Sequence, residues 1–390
     1  MSQVFQSLSS RSGILKTTVC GALILLLSQG VQNLAYGKEA QSSFKSNVVR
    51  SLRNWGIYNS HRSSPSSPRS DIDALDAWSI QEGNRDIIVA VIDTGIDLNH
   101  KDLVKSLWHD PSSSQKNLFG MNFVNPGMNP IDVHGHGTHV AGIIGGELDP
   151  VLGTSGVAHR VSIMPIKYYS EGSSGLVNLT HTIEAINFAV DHGARIINYS
   201  GGGPEFSERE YRAIKRAESK GILFIAAAGN ESQDIDQGKN FYFPASYSNP
   251  EVPIYQGVGL SRPSNMIVVA ATNLQNDLIS ASNWGKKSVD VAAPGENILS
   301  TLPSGRSGYM TGTSQATAFA SGVAALILSE NPRLSPQEVR EIMIQSSEPI
   351  PQLKGKVVAA GHLNVFGAVK RARSWIGRGG NILAHAPIQK

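Results

Sequence analysis

The chain has 390 residues, 40% of them hydrophobic and 17% charged, with 39 glycines and 19 prolines, a composition that can bury a large core and excludes a coiled coil or a charge-rich disordered chain. Its lone cysteine, Cys20, excludes an internal disulfide framework and a Cys-cluster zinc site. The formal charge of +3 is unevenly spread: residues 1–70 carry eight Lys/Arg and one Glu, residues 370–390 carry five Lys/Arg and no acid, and the stretch between them holds 21 basic and 30 acidic residues, so a nucleic-acid partner is not expected.

In chain order, Arg11 and Lys16 precede an apolar run from Val19 to Leu27, and small residues follow at Ala35 and Gly37. This layout predicts a signal peptide over 1–37 and an exported product, secreted or periplasmic. A run from Val19 to Leu27 is too short to cross a hydrocarbon core, which takes about 20 residues, so no stable membrane span is expected after cleavage. Residues 38–70 are polar and basic and read as an exposed linker or short propeptide. The composition changes at Asp71, and residues 71–369 read as a single catalytic domain, with 370–390 as a basic, solvated tail.

Within that domain Ile87–Ile92, Arg195–Tyr199, Ile222–Ala228 and Met266–Ala271 are apolar runs of strand length. Helical patterns lie between them. One is expected to start at Asn178 or Thr180 and to run through Ile183, Ile186 and Val190 to Gly193. A second opens on a capping box, Ser207-Glu208-Arg209-Glu210, and stops at Gly221. A third, small and apolar, covers Thr317 to Leu328, and a fourth opens on Ser335-Pro336-Gln337-Glu338. The alternation predicts an α/β fold, a mostly parallel sheet with helices on both faces, in which ligands gather beyond the carboxyl ends of the strands.

The residues with chemical potential sit at such places. Asp93 closes the first strand run and precedes Thr94-Gly95; a carboxylate there needs hydrogen-bond partners, and a turn aspartate fits equally well. His134-Gly135-His136-Gly137-Thr138-His139 admits two chemistries. With Asp132 nearby, the three histidines could ligate a metal at a spacing similar to the first ligand motif of metallo-beta-lactamase-like hydrolases, although Thr138 stands where those have Asp. Alternatively His136 alone is a general base oriented by a distant carboxylate, with His134 and His139 structural. Gly312-Thr313-Ser314-Gln315-Ala316 favours the second. A serine at a helix start, activated by a base, makes with Asp93 and His136 a nucleophile, base and orienting acid. Asn230, closing Ala226-Ala227-Ala228-Gly229, adds an amide that can donate to an oxyanion.

The motifs VAVIDTGID (89–97), HGTHVAG (136–142), INYSGGGP (197–204), AAAGN (226–230) and GTSQA (312–316) resemble those of the subtilisin-like serine peptidases, over about 300 residues and in the order Asp, His, Ser. The resemblance implies Ser314 as nucleophile, His136 as base and then acid, Asp93 as the residue that orients the imidazole, and Asn230 as oxyanion donor. It implies that Ser200–Gly203, with Ser200 and Gly202, and Ala227–Gly229, with Gly229, are cleft edges that take an extended polypeptide substrate by strand addition. No cofactor is needed for that chemistry, and a monomer is expected. Asp102 matches an acidic position that ligates calcium in many relatives, but the loop Glu147–Thr154 matches that site poorly, so Asp102 is a weak candidate for a structural calcium ion. Other departures are Gln315 where Met is frequent, Ala318-Phe319 in place of Pro-His, which leaves open a member that binds peptides with little turnover, and Gly201 where Leu is usual, which predicts a roomier cleft. Residues 248–265 read as an insertion near the cleft.

Overall fold

A computed structural model describes residues 52–59, 69–110, 119–250, 252 and 261–376. The expected signal peptide, most of the expected linker, half of 248–265 and the end of the basic tail lie outside these. The strands are β1 (Ile88–Asp93), β2 (Met121–Asn122), β3 (Ser162–Lys167), β4 (Ile196–Tyr199), β5 (Leu223–Ala227), β6 (Met266–Thr272), β7 (Val291–Pro294), β8 (Ile298–Leu302), β9 (Arg306–Met310), β10 (Glu348–Pro349) and β11 (Gly361–His362). The α-helices are α1 (Ala74–Ala77), α2 (His136–Gly145), α3 (Gly175–Asp191), α4 (Glu208–Ser219), α5 (Thr313–Glu330), α6 (Pro336–Ser346) and α7 (Val365–Arg373).

Nine strands form one sheet in the order β10-β11-β7-β6-β5-β4-β1-β3-β2, parallel except where β10 meets β11. Successive residues of a strand point to opposite faces, and here both faces are covered, which is why these strands read as unbroken apolar runs. Val89, Val91, Ile225 and Val269 pack with α2, α5 and α7 on one side; Ala90, Ile92, Phe224 and Val268 pack with α3 and α4 on the other. β1 has β3 on one side and β4 on the other, so the strand order reverses at β1, and the crevice beyond its carboxyl end is the natural ligand site of such a sheet. α5 is buried at every residue from Thr313 to Leu328, the environment that its unbroken small and apolar sequence requires.

Several expectations need correction. Residues 52–59, expected in an exposed linker, pack on the domain: Ile57 is buried, Asn54 Nδ2 donates to Leu299 O at 3.0 Å, and Trp55 Nε1 donates to Glu296 O at 2.9 Å. The apolar Leu52, Trp55 and Ile57 outweigh the basic surroundings that suggested a linker. At the other end, residues 370–373 continue α7 rather than starting a free tail. α3 begins earlier than expected: Ser174 caps it by accepting from Val177 N, which leaves Asn178 and Thr180 inside the helix. Ser335 and Glu338 form the full reciprocal capping box, whereas at α4 only half forms. Ser207 Oγ accepts from Glu210 N at 3.3 Å, but Ser207 N donates to Tyr247 Oη and the Glu210 side chain turns inward. β3 escapes a pattern reading because Pro165 interrupts it; the proline is tolerated because β2 pairs with Ile166 and Lys167 alone, leaving its outer side without a strand partner.

Candidate active site

β1 ends on Asp93, and α2 begins on His136. Gly137 brings the two together, because a Cβ there would lie 2.1 Å from Gly95 O and 3.1 Å from Asp93; only hydrogen lets the first turn of α2 settle on the strand end. His136 Nδ1–H then donates to Asp93 Oδ1 at 2.8 Å and Oδ2 at 3.0 Å. A carboxylate can only accept, so the proton is on Nδ1 and the Nε2 lone pair is free to act as a base. Asp93 Oδ1 also accepts from Thr94 N at 2.7 Å. Burial pushes the imidazole toward its neutral form, but the charge and hydrogen bond of Asp93, helped by Asp132, prevail and hold His136 above its ordinary value.

Beneath this pair lies Asp132, buried and satisfied by donors. Its Oδ1 accepts from Thr94 Oγ1, His134 N and Gly135 N; its Oδ2 accepts from Thr138 N at 3.0 Å and Thr138 Oγ1 at 2.6 Å. Thr94 Oγ1 in turn accepts from Gly137 N at 3.0 Å. Asp132 therefore ties the strand end to the first turn of α2, where negative charge is favoured. His139 faces the core, and its Nε2–H donates to Ile298 O at 3.0 Å and Gly308 O at 3.2 Å, tying α2 to the β8–β9 hairpin. Burial lowers it to about 4. With Asp132 and His139 so engaged, the HxHxxH metal arrangement does not form; among the described residues no group of three His, Cys, Asp or Glu side chains gathers as a metal site.

Ser314 is the second residue of α5, with backbone N–H groups at its back. Its Oγ–H donates to Ser200 O, just past β4, at 3.4 Å, a long bond that rotation of the hydroxyl can exchange for another. Asn230 stands three residues beyond β5. Its Oδ1 accepts from Thr313 N at 2.9 Å and Thr313 Oγ1 at 3.1 Å. Its carbonyl is thus held by the residue before Ser314, which leaves its NH₂ group as the free end of the amide. Asp93 ends β1, and Ser200 and Asn230 follow β4 and β5; the three strands are adjacent in the sheet.

The two expected cleft edges both approach one aromatic ring. A Cβ on Gly202 would come 2.5 Å from the Tyr242 ring and from Phe243 O, and one on Gly229 would come 3.0 Å from Tyr242, 2.5 Å from Glu231 Oε2 and 2.4 Å from Asn283 Nδ2. Gly229 also has φ +102°, a conformation that favours glycine. Sequence patterning gave no role to Tyr242; Phe241-Tyr242-Phe243 before Pro244 was its only mark. The roomier cleft expected at Gly201 does not exist there, because a Cβ would lie 2.4 Å from Tyr168 Oη and 2.8 Å from Tyr199 Oη; two tyrosines occupy the space of the missing leucine.

Asp102 sits apart, near the end of α2. It is buried and accepts from Thr154 Oγ1 at 3.1 Å, and burial pushes its carboxyl up. In the neighbouring loop Asp149 Oδ1 accepts from Val151 N and Leu152 N, and its Oδ2 pairs with Lys101 Nζ. Hydroxyl, amide and ammonium groups thus face these two acids, and among the described residues no group of three His, Cys, Asp or Glu side chains gathers there; nothing in the structure adds support to the calcium expected at Asp102.

Fold and site together define a class: an α/β protein with a mostly parallel sheet covered on both faces, an acid at the end of one strand, and an imidazole and a hydroxyl at the starts of two helices. Comparison with known proteins agrees. The chain matches the Subtilase family over residues 84–369. It is 33% identical over 293 residues to the thermophilic serine proteinase of a Bacillus species, covering 75% of this chain and 64% of that one. It is 34% identical over 310 residues to subtilisin-like protease 2 of Plasmodium falciparum, covering 77% of this chain and 22% of that one. Among solved structures, a cold adapted subtilisin-like serine proteinase is similar with a TM-score of 0.59 and 28% identity, over 73% of this chain and 91% of the other. The chain belongs to the subtilase family. It spans less than two thirds of the length of either relative named here.

Proposed function

We propose that the protein is a serine endopeptidase that hydrolyses peptide bonds through an acyl-enzyme intermediate. The observation that carries this reading is the Asp93–His136 pair, whose tautomer leaves Nε2 basic at the start of a helix that packs against α5, with Ser314 in the first turn of α5. When substrate displaces the Ser200 bond, the Ser314 hydroxyl turns to Nε2, gives up its proton and attacks the scissile carbonyl. Asp93 stabilises the imidazolium that forms. The negative oxygen of the tetrahedral intermediate is met by the Asn230 NH₂ and by the backbone N–H of Ser314, donors held in place beforehand. His136 then protonates the leaving amine, and water repeats the sequence on the acyl-enzyme. No metal or organic cofactor enters these steps.

The substrate is an extended polypeptide that pairs along Ser200–Gly203 and Ala227–Gly229. A side chain entering between those edges meets the Tyr242 ring, so small residues are favoured there. We further propose that the protein acts as an exported monomer, on the strength of Arg11, Lys16 and the apolar run Val19–Leu27; no helix among the described residues is long and apolar enough to cross a membrane.

A fluorophosphonate probe tests the chemistry. Covalent labelling of Ser314, lost in Ser314→Ala and in His136→Ala, is expected together with cleavage of an unfolded protein. A purified, folded chain that neither labels nor cleaves overturns the proposal, and one that binds such a protein without cleaving it is a peptide-binding member instead. Replacing Tyr242 with Gly should widen the accepted side chains in a peptide library; an unchanged profile removes the role given to Tyr242.

A further inference from the structure

Asn178 and Glu210 both depart from what sequence patterning predicts, and they meet around one cavity. It has a volume of about 520 Å³, borders Gly202 and Gly203, and is walled by Tyr168, Tyr169, Leu176, Tyr199 and Phe243. It is therefore continuous with the edge proposed to bind substrate. Glu210 and Asn178 also line it. Glu210 is only 3% exposed. Its carboxylate gives up the return bond of the capping box at the start of α4 and instead accepts from Tyr247 Oη at 3.1 Å through Oε2. Asn178 Oδ1 is buried and has no hydrogen-bond partner. The charged residues of the lining are Glu210 inside and the exposed Glu205 at the rim; no Lys, Arg or His is among them.

An unpaired amide oxygen and a buried carboxylate are both costly where an apolar residue would pack without penalty. Burial lifts the Glu210 carboxyl to about 7, a strained acid that a cation would relieve. Aromatic rings around such acceptors attract the same kind of ligand, because their faces are negative. We propose that this cavity receives a lysine or arginine side chain of the polypeptide substrate, with its cationic head donating to Glu210 and Asn178 and its aliphatic stem lying against the tyrosine rings. The proposal rests on the peptidase reading above and adds to it the chemistry of a second, distant selection. Tyr242 limits side-chain size between the edges, and Glu210 selects charge further along the same strand.

The experiment is a set of internally quenched peptides, identical except for one position, into which arginine, norleucine or glutamate is placed in turn on both sides of the scissile bond. Norleucine matches the stem without the charge. At one position arginine is expected to exceed norleucine in kcat/KM by about tenfold or more, as for a desolvated charge pair, with glutamate below both. Glu210→Gln should bring the ratio of arginine to norleucine close to one. Should that variant fail to fold, Leu176→Trp, at a rim residue 73% exposed, obstructs the cavity and should abolish the same ratio. An enzyme that cleaves the set with no preference for arginine at any position, or whose preference survives in the folded variants, overturns the cationic pocket and leaves the peptidase reading intact. A wild-type chain that neither cleaves nor labels overturns both.

Discussion

α2 has carboxylates at both ends, and the protein treats them in opposite ways. At its start Asp93 and Asp132 accept from amides, hydroxyls and an imidazole, where the helix presents N–H groups and favours negative charge. Beyond its finish, where the helix presents carbonyls and opposes negative charge, stand Asp102, Glu147 and Asp149. There the protein supplies ammonium groups, Lys101 to Asp149 and Lys105 to Glu147. Burial pushes Asp149 up, but Lys101 and the amides of Leu152 and Val151 outweigh it and hold Asp149 below its ordinary value. Donors fixed in the backbone hold their geometry without mobile parts, which a general base requires. Exposed lysines serve a loop that needs only to stay closed.

The comparison breaks hardest at the start. His136→Ala should lower kcat by about 10⁶, the loss known for the base of subtilisin itself, with the melting temperature little changed. Next, Asp132→Ala should cost about 3 kcal/mol of stability, because buried amide and hydroxyl donors on Thr94, His134, Gly135 and Thr138 lose their acceptor; urea unfolding measures this. A cost below about 0.5 kcal/mol would mean that Asp132 organises nothing.

Acid should act along the same helix. His139 within α2 and His362 in β11 are both buried and lowered to about 4 by burial. The unfolded chain takes up protons near pH 6.5 while the folded chain does not. Stability is therefore full above pH 6.5 and falls as pH drops toward 4, by up to about 3 kcal/mol for each histidine; chemical denaturation between pH 7 and 4 reads the slope. His136 has the opposite sign. Its pKa is raised by Asp93 against burial, so kcat/KM should rise with pH through an apparent pKa above the ordinary histidine value, and Asp93→Asn should move that midpoint down.

The smallest effect belongs to the finish. Lys101→Ala should leave the melting temperature nearly unchanged, because Lys101 is largely exposed and its ion pair is screened by solvent, and a strong chelator should leave the melting curve of the wild type unmoved. A chelator-dependent fall in melting temperature would restore a metal to the Asp102 region.

Much of this was legible in the sequence because the chemistry sits in short contiguous motifs. Asp93, His136, Asn230 and Ser314 are each announced by neighbours that make a strand end or a helix start, and the parallel sheet follows from apolar runs of strand length. What could not be read depends on partners far apart in the chain. The bonds from His139 to Ile298 and Gly308 span 159 and 169 positions, so the β8–β9 hairpin and its tie to α2 leave no local pattern. Asn178 and Glu210 suit helix caps in their local sequence, whereas the cavity that claims them is assembled from the segment after β3, α3, the end of β4 and the segment after it, α4 and Phe243. Tyr168 and Tyr199, which fill the space beside Gly201, are likewise brought there by the sheet.

α5 is buried from Thr313 to Leu328 and is most open at Ser314, which is 7% exposed. Past its first turn, the amides of α5 should exchange their hydrogens only when the whole molecule opens, which hydrogen exchange measures. Ser314 is therefore rooted in the slowest-exchanging part of the chain. Gentle denaturant should free the outer loops well before it disturbs the nucleophile, and catalytic competence should vanish together with the core.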